Sequence, residues 1–107
     1  MLYHLFVYVP VANAEDVKQA MFEAGGGKYE QYDQCSWESS GTGQFRPMEG
    51  SNPYIGHYNT LEKIEELKIE MICDSHRIKY VLQALKESHP YEEPAYGAIE
   101  IKTLEDF

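Results

Sequence analysis

Leu67-Lys68-Ile69-Glu70-Met71-Ile72-Cys73 runs into Asp74-Ser75-His76-Arg77 and then into Ile78-Lys79-Tyr80-Val81-Leu82-Gln83-Ala84-Leu85. The hydrophobic period changes across that junction. In the first segment Leu67, Ile69, Met71 and Cys73 occupy alternate positions, the pattern of a strand with one buried face. In the last, Ile78, Val81, Leu82 and Leu85 fall at i, i+3, i+4 and i+7, which makes one apolar stripe on a helix. Asp74 or Ser75 is a candidate N-cap. His89-Pro90 closes the helix, because the residue before a proline is driven out of helical dihedrals.

The same unit occurs earlier in the chain. Val17, Ala20, Met21 and Ala24 carry the same helical spacing, and they match Ile78, Val81, Leu82 and Leu85 at one constant offset. Asn13 is the cap candidate, and Gly25-Gly26-Gly27 is a C-terminal stop. The run from Leu5 to Val9 is apolar at nearly every position and reads as a central strand before this helix. Tyr29 to Trp37 is the strand expected after it. Ala95 to Lys102, with Gly97, Ile99 and Ile101 on one face, is the strand expected after the second helix. Two βαβ units in one chain give an α+β sandwich of ferredoxin-like type, βαββαβ, with four antiparallel strands and two helices on one face. The other face must be polar or covered by a neighbouring subunit.

The repeat leaves a surplus at about 38–66. It opens with Ser39-Ser40-Gly41-Thr42-Gly43, a turn signal, and continues through Phe45-Arg46-Pro47, Glu49-Gly50, Asn52-Pro53 and Ile55-Gly56. Such a stretch holds too much Gly and Pro for a helix and too many aromatics for a disordered tail. It is expected to be an inserted hairpin or ordered loop, a usual place for function.

The 107 residues suit one domain, residues 1–107. A chain this short buries only about two-thirds of its surface, so self-association would add to a thin margin. The net charge of −9 repels phosphate backbones and anionic membranes, which argues against nucleic-acid and membrane partners. Nine Tyr, four Phe and one Trp suit surfaces that face a partner or a wet groove. The chain starts without a basic segment and has no apolar run of about 20 residues, so a cytoplasmic location is expected. Cys35 and Cys73 form no CxxC and read as small buried hydrophobes. The run Glu62 to Glu66 reads as a solvated face.

Two motifs carry candidate chemistry. His89-Pro90-Tyr91-Glu92-Glu93-Pro94 holds an imidazole and two carboxylates on a backbone pinned by prolines, so His89, Glu92 and Glu93 are candidate ligands for a divalent metal ion. The alternative is structural: a helix stop, a packing tyrosine and the start of an edge strand. In the loop from Phe45 to His57, Arg46 could grip a carboxylate or phosphate, or simply hold the loop together. Arg46, Tyr54, His57 and Tyr91 are the candidate ligand-binding residues, and no catalytic residue is assigned. His4, His57, His76 and His89 have no metalloprotease spacing, and no phosphate-binding glycine loop is present.

The order Phe-Arg-Pro (Phe45 to Pro47), Glu-Gly (Glu49, Gly50), Asn-Pro-Tyr-Ile-Gly (Asn52 to Gly56) and His-Pro-Tyr-Glu-Glu-Pro-Ala-Tyr (His89 to Tyr96) resembles the inserted domain of the bacterial NIF-three-like proteins, from about Leu5 to about Ile101. His-Pro-Tyr-Glu, Pro94 and the strand after them also resemble the divalent-cation-tolerance protein CutA. The resemblance implies the fold of CutA and the PII signalling proteins and a homotrimer, with a dimer second. It implies divalent-cation binding at His89, Glu92 and Glu93. The dinuclear metal site of the NIF-three-like proteins lies on flanking domains, so the resemblance carries no hydrolase activity into this segment. The reading that follows is a non-enzymatic binding, regulatory or assembly module. In it the loop of one subunit faces His89 to Pro94 of another. A protein-docking module is the second reading and a metal-dependent hydrolase the third.

Overall fold

The computed structural model describes residues 1–107. In chain order the elements are β1 (Leu2–Pro10), a 3-10 turn (Val11–Asn13), α1 (Ala14–Glu23), β2 (Trp37–Phe45), β3 (Glu62–Asp74), α2 (Ile78–Ser88), β4 (Tyr96–Ile101) and a last 3-10 turn (Leu104–Asp106). The four strands form one sheet in the order β2-β3-β1-β4. Every pairing is antiparallel. This is the expected split βαβ topology. Strand β1 is central and pairs along its whole length with β3, from Leu2 opposite Asp74 to Pro10 opposite Glu66. On its other side it pairs with β4, from Leu2 opposite Ile101 to Val7 opposite Tyr96.

Alternation along the strands sorts their side chains into two faces. Leu5, Val7 and Val9 of β1 and Ile69, Met71 and Cys73 of β3 point toward the helices. There they meet Ala14, Val17 and Met21 of α1 and Val81 and Leu85 of α2, and these residues together form the buried core. The sequence stripes are therefore the packing stripes. Gly25 and Gly27 take φ of +113° and +73°, values that glycine adopts without a steric penalty. Here they reverse the chain after α1. Gly25 N–H reaches the Phe22 carbonyl at 3.0 Å and Gly26 N–H reaches the Met21 carbonyl at 3.0 Å, the double bond of a Schellman ending. Before α2, the Asp74 carboxylate accepts the N–H groups of His76 at 2.9 Å and Arg77 at 3.1 Å. Asn13 precedes α1, but its side chain makes no capping bond.

The second strand is not where the residue pattern places it. Residues 28–36 form irregular chain with a single bridge between Tyr29 and Tyr32, and Cys35 is half-buried there rather than in a strand. The strand is Trp37–Phe45, across the Ser-Ser-Gly-Thr-Gly run that reads as a turn. It pairs with β3 from Trp37 opposite Glu70 to Phe45 opposite Glu62. Weak strand formers are tolerated because β2 is an edge, exposed along most of its length, whose order comes from the ladder to β3. Lys18 ties it to α1 by bridging Glu15 at 2.9 Å and Glu38 at 2.7 Å, and the Glu38 bond in particular holds the Lys18 pKa above its ordinary value. The surplus at 38–66 is thus a long hairpin whose tip spans 46–61. The molecule is correspondingly elongated, 48 × 25 × 23 Å.

The helix-free face is mixed, with polar groups among large apolar side chains. Trp37 is 70% exposed and Ile99 58% exposed, and Leu2, Phe6, Ile72 and Ile101 are half-buried beside them. The pair His4 Nε2 to Glu70 Oε1, at 2.9 Å, lies among these apolar groups. Lys68 Nζ sits 5.4 Å from the centre of the Phe6 ring and 5.8 Å from that of Tyr8. On β4, Ala98 rather than Ile99 packs against the core.

Leu85 is fully buried between the helices and the sheet. Leu85→Ala is expected to lower the unfolding free energy by about 3 kcal/mol, whereas Leu104→Ala, at an exposed site, should change it by less than about 0.5 kcal/mol. Urea denaturation of both variants checks this.

Candidate functional site

The hairpin tip folds back on itself before it meets the rest of the chain. Asn59 N–H bonds to the Pro47 carbonyl at 2.6 Å, the Tyr58 hydroxyl to the Ser51 carbonyl at 2.7 Å, and the Ser51 hydroxyl to the Met48 carbonyl at 2.7 Å. Pro47 is buried beneath this arrangement. The tip is then tied to the segment after α2, where Asn52 N–H donates to Glu92 Oε2 at 3.0 Å. The two sequence motifs therefore meet within one chain.

Between them lies a cleft of about 450 Å³. Phe45, Tyr54 and Tyr91 form its aromatic wall, with Tyr91 5.8 Å from Phe45 and 6.3 Å from Tyr54, ring centre to ring centre. Tyr8 borders it from β1, and Arg46, Gln44, Glu49, Glu66, Glu92 and Glu93 supply its polar groups. Arg46 makes no ion pair within the chain. Among the candidate ligand-binding residues, Arg46, Tyr54 and Tyr91 line this cleft. His57 does not: it is exposed outside the lining, and its carbonyl closes the loop by accepting Thr60 N–H at 3.2 Å.

Glu66 was hidden inside an acidic run that reads as a solvated face. It is only 9% exposed. Its Oε2 accepts the Tyr91 hydroxyl at 3.1 Å. A β-carbon at Gly43 would collide with its carboxylate, so the glycine makes room for the acid. The signal was available only through pairing: Gly41 stands opposite Glu66, and Gly43 is its near neighbour on the same face. Burial, followed by the negative charge of Glu66, pushes the Tyr91 hydroxyl far above the usual tyrosine range. Tyr91 is therefore a neutral donor at any physiological pH.

His89 is 6% exposed and engaged at both ring nitrogens. Nε2 donates to the Tyr8 carbonyl at 2.8 Å, and Nδ1 accepts Tyr91 N–H at 3.0 Å. This fixes the tautomer and makes the imidazole a brace between β1 and the cleft wall. The expected metal set does not assemble from His89, Glu92 and Glu93. The imidazole has no lone pair free, and no group of three His, Cys, Asp or Glu side chains converges anywhere in the chain. Cys73 is fully packed, with its thiol pushed up to about 11 chiefly by burial.

No family model matches the chain. Individual proteins do. It is 47% identical over 95 residues to the "GTP cyclohydrolase 1 type 2 homolog" of Halalkalibacterium halodurans, covering 89% of this chain and 26% of that protein. The protein of the same name from Mycobacterium tuberculosis is 43% identical over 90 residues, 84% of this chain and 24% of that protein. The crystal structure of a Bacillus cereus protein related to NIF3 superposes with a TM-score of 0.81 at 36% identity, over 95% of this chain and 26% of the other. Over most of its own length the chain is similar to one segment of NIF3-related proteins. It spans about a quarter of the length of the relatives it matches. The divalent cation tolerance protein CutA of Archaeoglobus fulgidus shares the fold over nearly its whole length, with a TM-score of 0.67 at 19% identity, 99% of this chain and 90% of that one. At that identity the likeness is one of fold alone. The sheet with two helices is thus CutA-like, as the sequence motifs implied. No helix is long and apolar enough to cross a membrane.

Burial holds the His89 pKa below its ordinary value of 6.5. Between the depressed native value and 6.5 the unfolded chain binds a proton that the native chain refuses. This contribution to stability is therefore complete above 6.5 and lost as the pH falls below it. Urea melts at about pH 7.5 and about pH 5.5 should show a larger loss for the wild type than for His89→Gln, whose side chain does not titrate. Equal losses would remove His89 from this account.

Proposed function

We propose that this chain is a non-enzymatic binding and assembly module, a homo-oligomer that holds a small ligand in the cleft between the hairpin tip and His89–Pro94. The observation that carries the reading is the cleft itself. It has aromatic walls, a nearly buried carboxylate and an unpaired guanidinium, and it is built from two distant segments held to each other by Asn52 and Glu92. Apolar concavities with a few placed polar groups are the usual form of small-molecule sites. A binding task fits better than a catalytic one, because the groups suited to acid–base or nucleophilic work are engaged or disabled. His89 is bonded at both nitrogens, and Cys73 is buried with a raised pKa.

Assembly is supported by the helix-free face. Trp37, Phe6, Ile72, Ile99, Ile101 and Leu2 leave apolar side chains there that no helix of the chain covers, the kind of patch that marks an interaction surface. A trimer around this face is our leading form, with a dimer second and the cytoplasm as its compartment. The relatives' name refers to GTP, but it belongs to proteins about four times as long. The cleft offers one Arg against four Glu, a poor match for a triphosphate. A divalent cation would meet Glu92 and Glu93 at the rim, not His89.

Native mass spectrometry is expected to show a homotrimer. Ile99→Glu, at an exposed position, should yield folded monomers, and a wild-type monomer would overturn the assembly reading. Amide NMR with a mixture of small aromatic fragments should shift residues 44–54 and 91–95. Shifts confined to other surfaces would overturn the cleft.

A further inference from the structure

We propose that the cleft takes a small organic cation, an ammonium or amidinium carried on a short apolar or aromatic body, with its charge against Glu66. This rests on the cleft being a ligand site and adds the chemical class.

Glu66 is the first reason. Glu66 is only 9% exposed and lines the cleft. Within the chain it receives one hydrogen bond, from Tyr91 to Oε2, and Oε1 accepts none and keeps some contact with solvent. A carboxylate with little water left gains from a donor or counter-charge that reaches its free oxygen. No Lys or Arg of the chain is ion-paired with it. The carboxylate packs over Gly43, occupying the place a β-carbon would take, which fixes it at the cleft wall. An incoming N–H donor with a positive charge supplies what the site lacks.

The walls are the second reason. Tyr91, Phe45 and Tyr54 stand at 5.8 and 6.3 Å with mutually tilted rings, and Tyr8 borders the same space. Several aromatic rings lining one cavity can hold a cation, and they also pack against an apolar body. A bare metal ion would use neither property, and no three metal-ligating side chains converge here.

Charge is the third. Arg46 alone opposes Glu49, Glu66, Glu92 and Glu93 around the cleft, in a chain of net charge −9. This field concentrates cations and excludes phosphates and carboxylates.

The test uses three probes of one shape in an amide NMR titration of the intact chain: benzamidinium, benzyl alcohol and benzoate. Benzamidinium should shift the amides of Gln44–Tyr54 and Tyr91–Ala95 at concentrations where benzoate shifts none and benzyl alcohol binds about tenfold more weakly. Glu66→Gln keeps an acceptor for Tyr91 and should weaken benzamidinium about tenfold. Tyr54→Leu removes an exposed wall residue without touching Glu66 and should weaken it several-fold, so the proposal stays open to refutation even if Glu66→Gln does not fold. Benzyl alcohol or benzoate binding the cleft as tightly as benzamidinium overturns the cation assignment and leaves the cleft a ligand site. The same is true of unchanged benzamidinium affinity in a folded Glu66→Gln protein. If no probe shifts the cleft amides, the cation assignment and the ligand site fall together.

Discussion

The buried layer between the two helices and the paired strands β1 and β3 is the constraint on which the remaining features depend. A domain of this size has one core, and this one is filled by alternate residues of two central strands and one stripe from each helix. Two helices can cover only one side of a four-stranded sheet. The opposite side is left with Trp37, Phe6 and Ile99, and the hairpin of β2 and β3 outruns the helices altogether. The elongated shape, the uncovered face and the position of the cleft all follow from this imbalance.

His89 carries that order from the core to the cleft. It stands at the end of α2, whose position is fixed by Val81 and Leu85. It grips the Tyr8 carbonyl with one nitrogen and the Tyr91 amide with the other. Tyr91 in turn holds Glu66, and Glu92 holds the hairpin tip. The cleft is therefore built from short links, each anchored to a rigid element, although much of its lining is irregular chain. A histidine that looks like a metal ligand in the sequence is more useful here as a neutral two-sided brace.

The elements with strong periodicity were legible before the structure. Both helices, the apolar parts of β1 and β3 and the glycine stop after α1 follow from spacing alone, because core burial enforces the period. Strand β4 was placed, but its Ile99 stripe faces away from the core, and Glu62–Glu66 of β3 fell in the stretch expected to be a loop. Strand β2 was not legible. Its residues have little strand preference and no buried face, so its place is set by β3, a partner distant in sequence. The cleft divides in the same way. Arg46, Tyr54 and Tyr91 stood out as residues in unusual loops, and they do line it. Glu66 did not, because burial of an acid depends on what lies across the ladder, and only Gly43 makes its position possible. His57 stays outside the lining because its loop turns it outward, a matter of backbone hydrogen bonds that composition does not encode.

One detail of the sheet register bears on how such a unit can be used. Leu2 pairs with Ile101, so the first and last strands enter and leave the fold side by side. Paired Cα atoms in an antiparallel ladder stand only about 5 Å apart. A host polypeptide could receive this whole fold at a single surface turn, with its own backbone barely parted and its own packing undisturbed. The same geometry allows the fold to exist by itself or as a module spliced into a longer chain, with no change to its interior. The matches to about a quarter of one set of proteins and to nearly the whole of another are what such modular portability would produce.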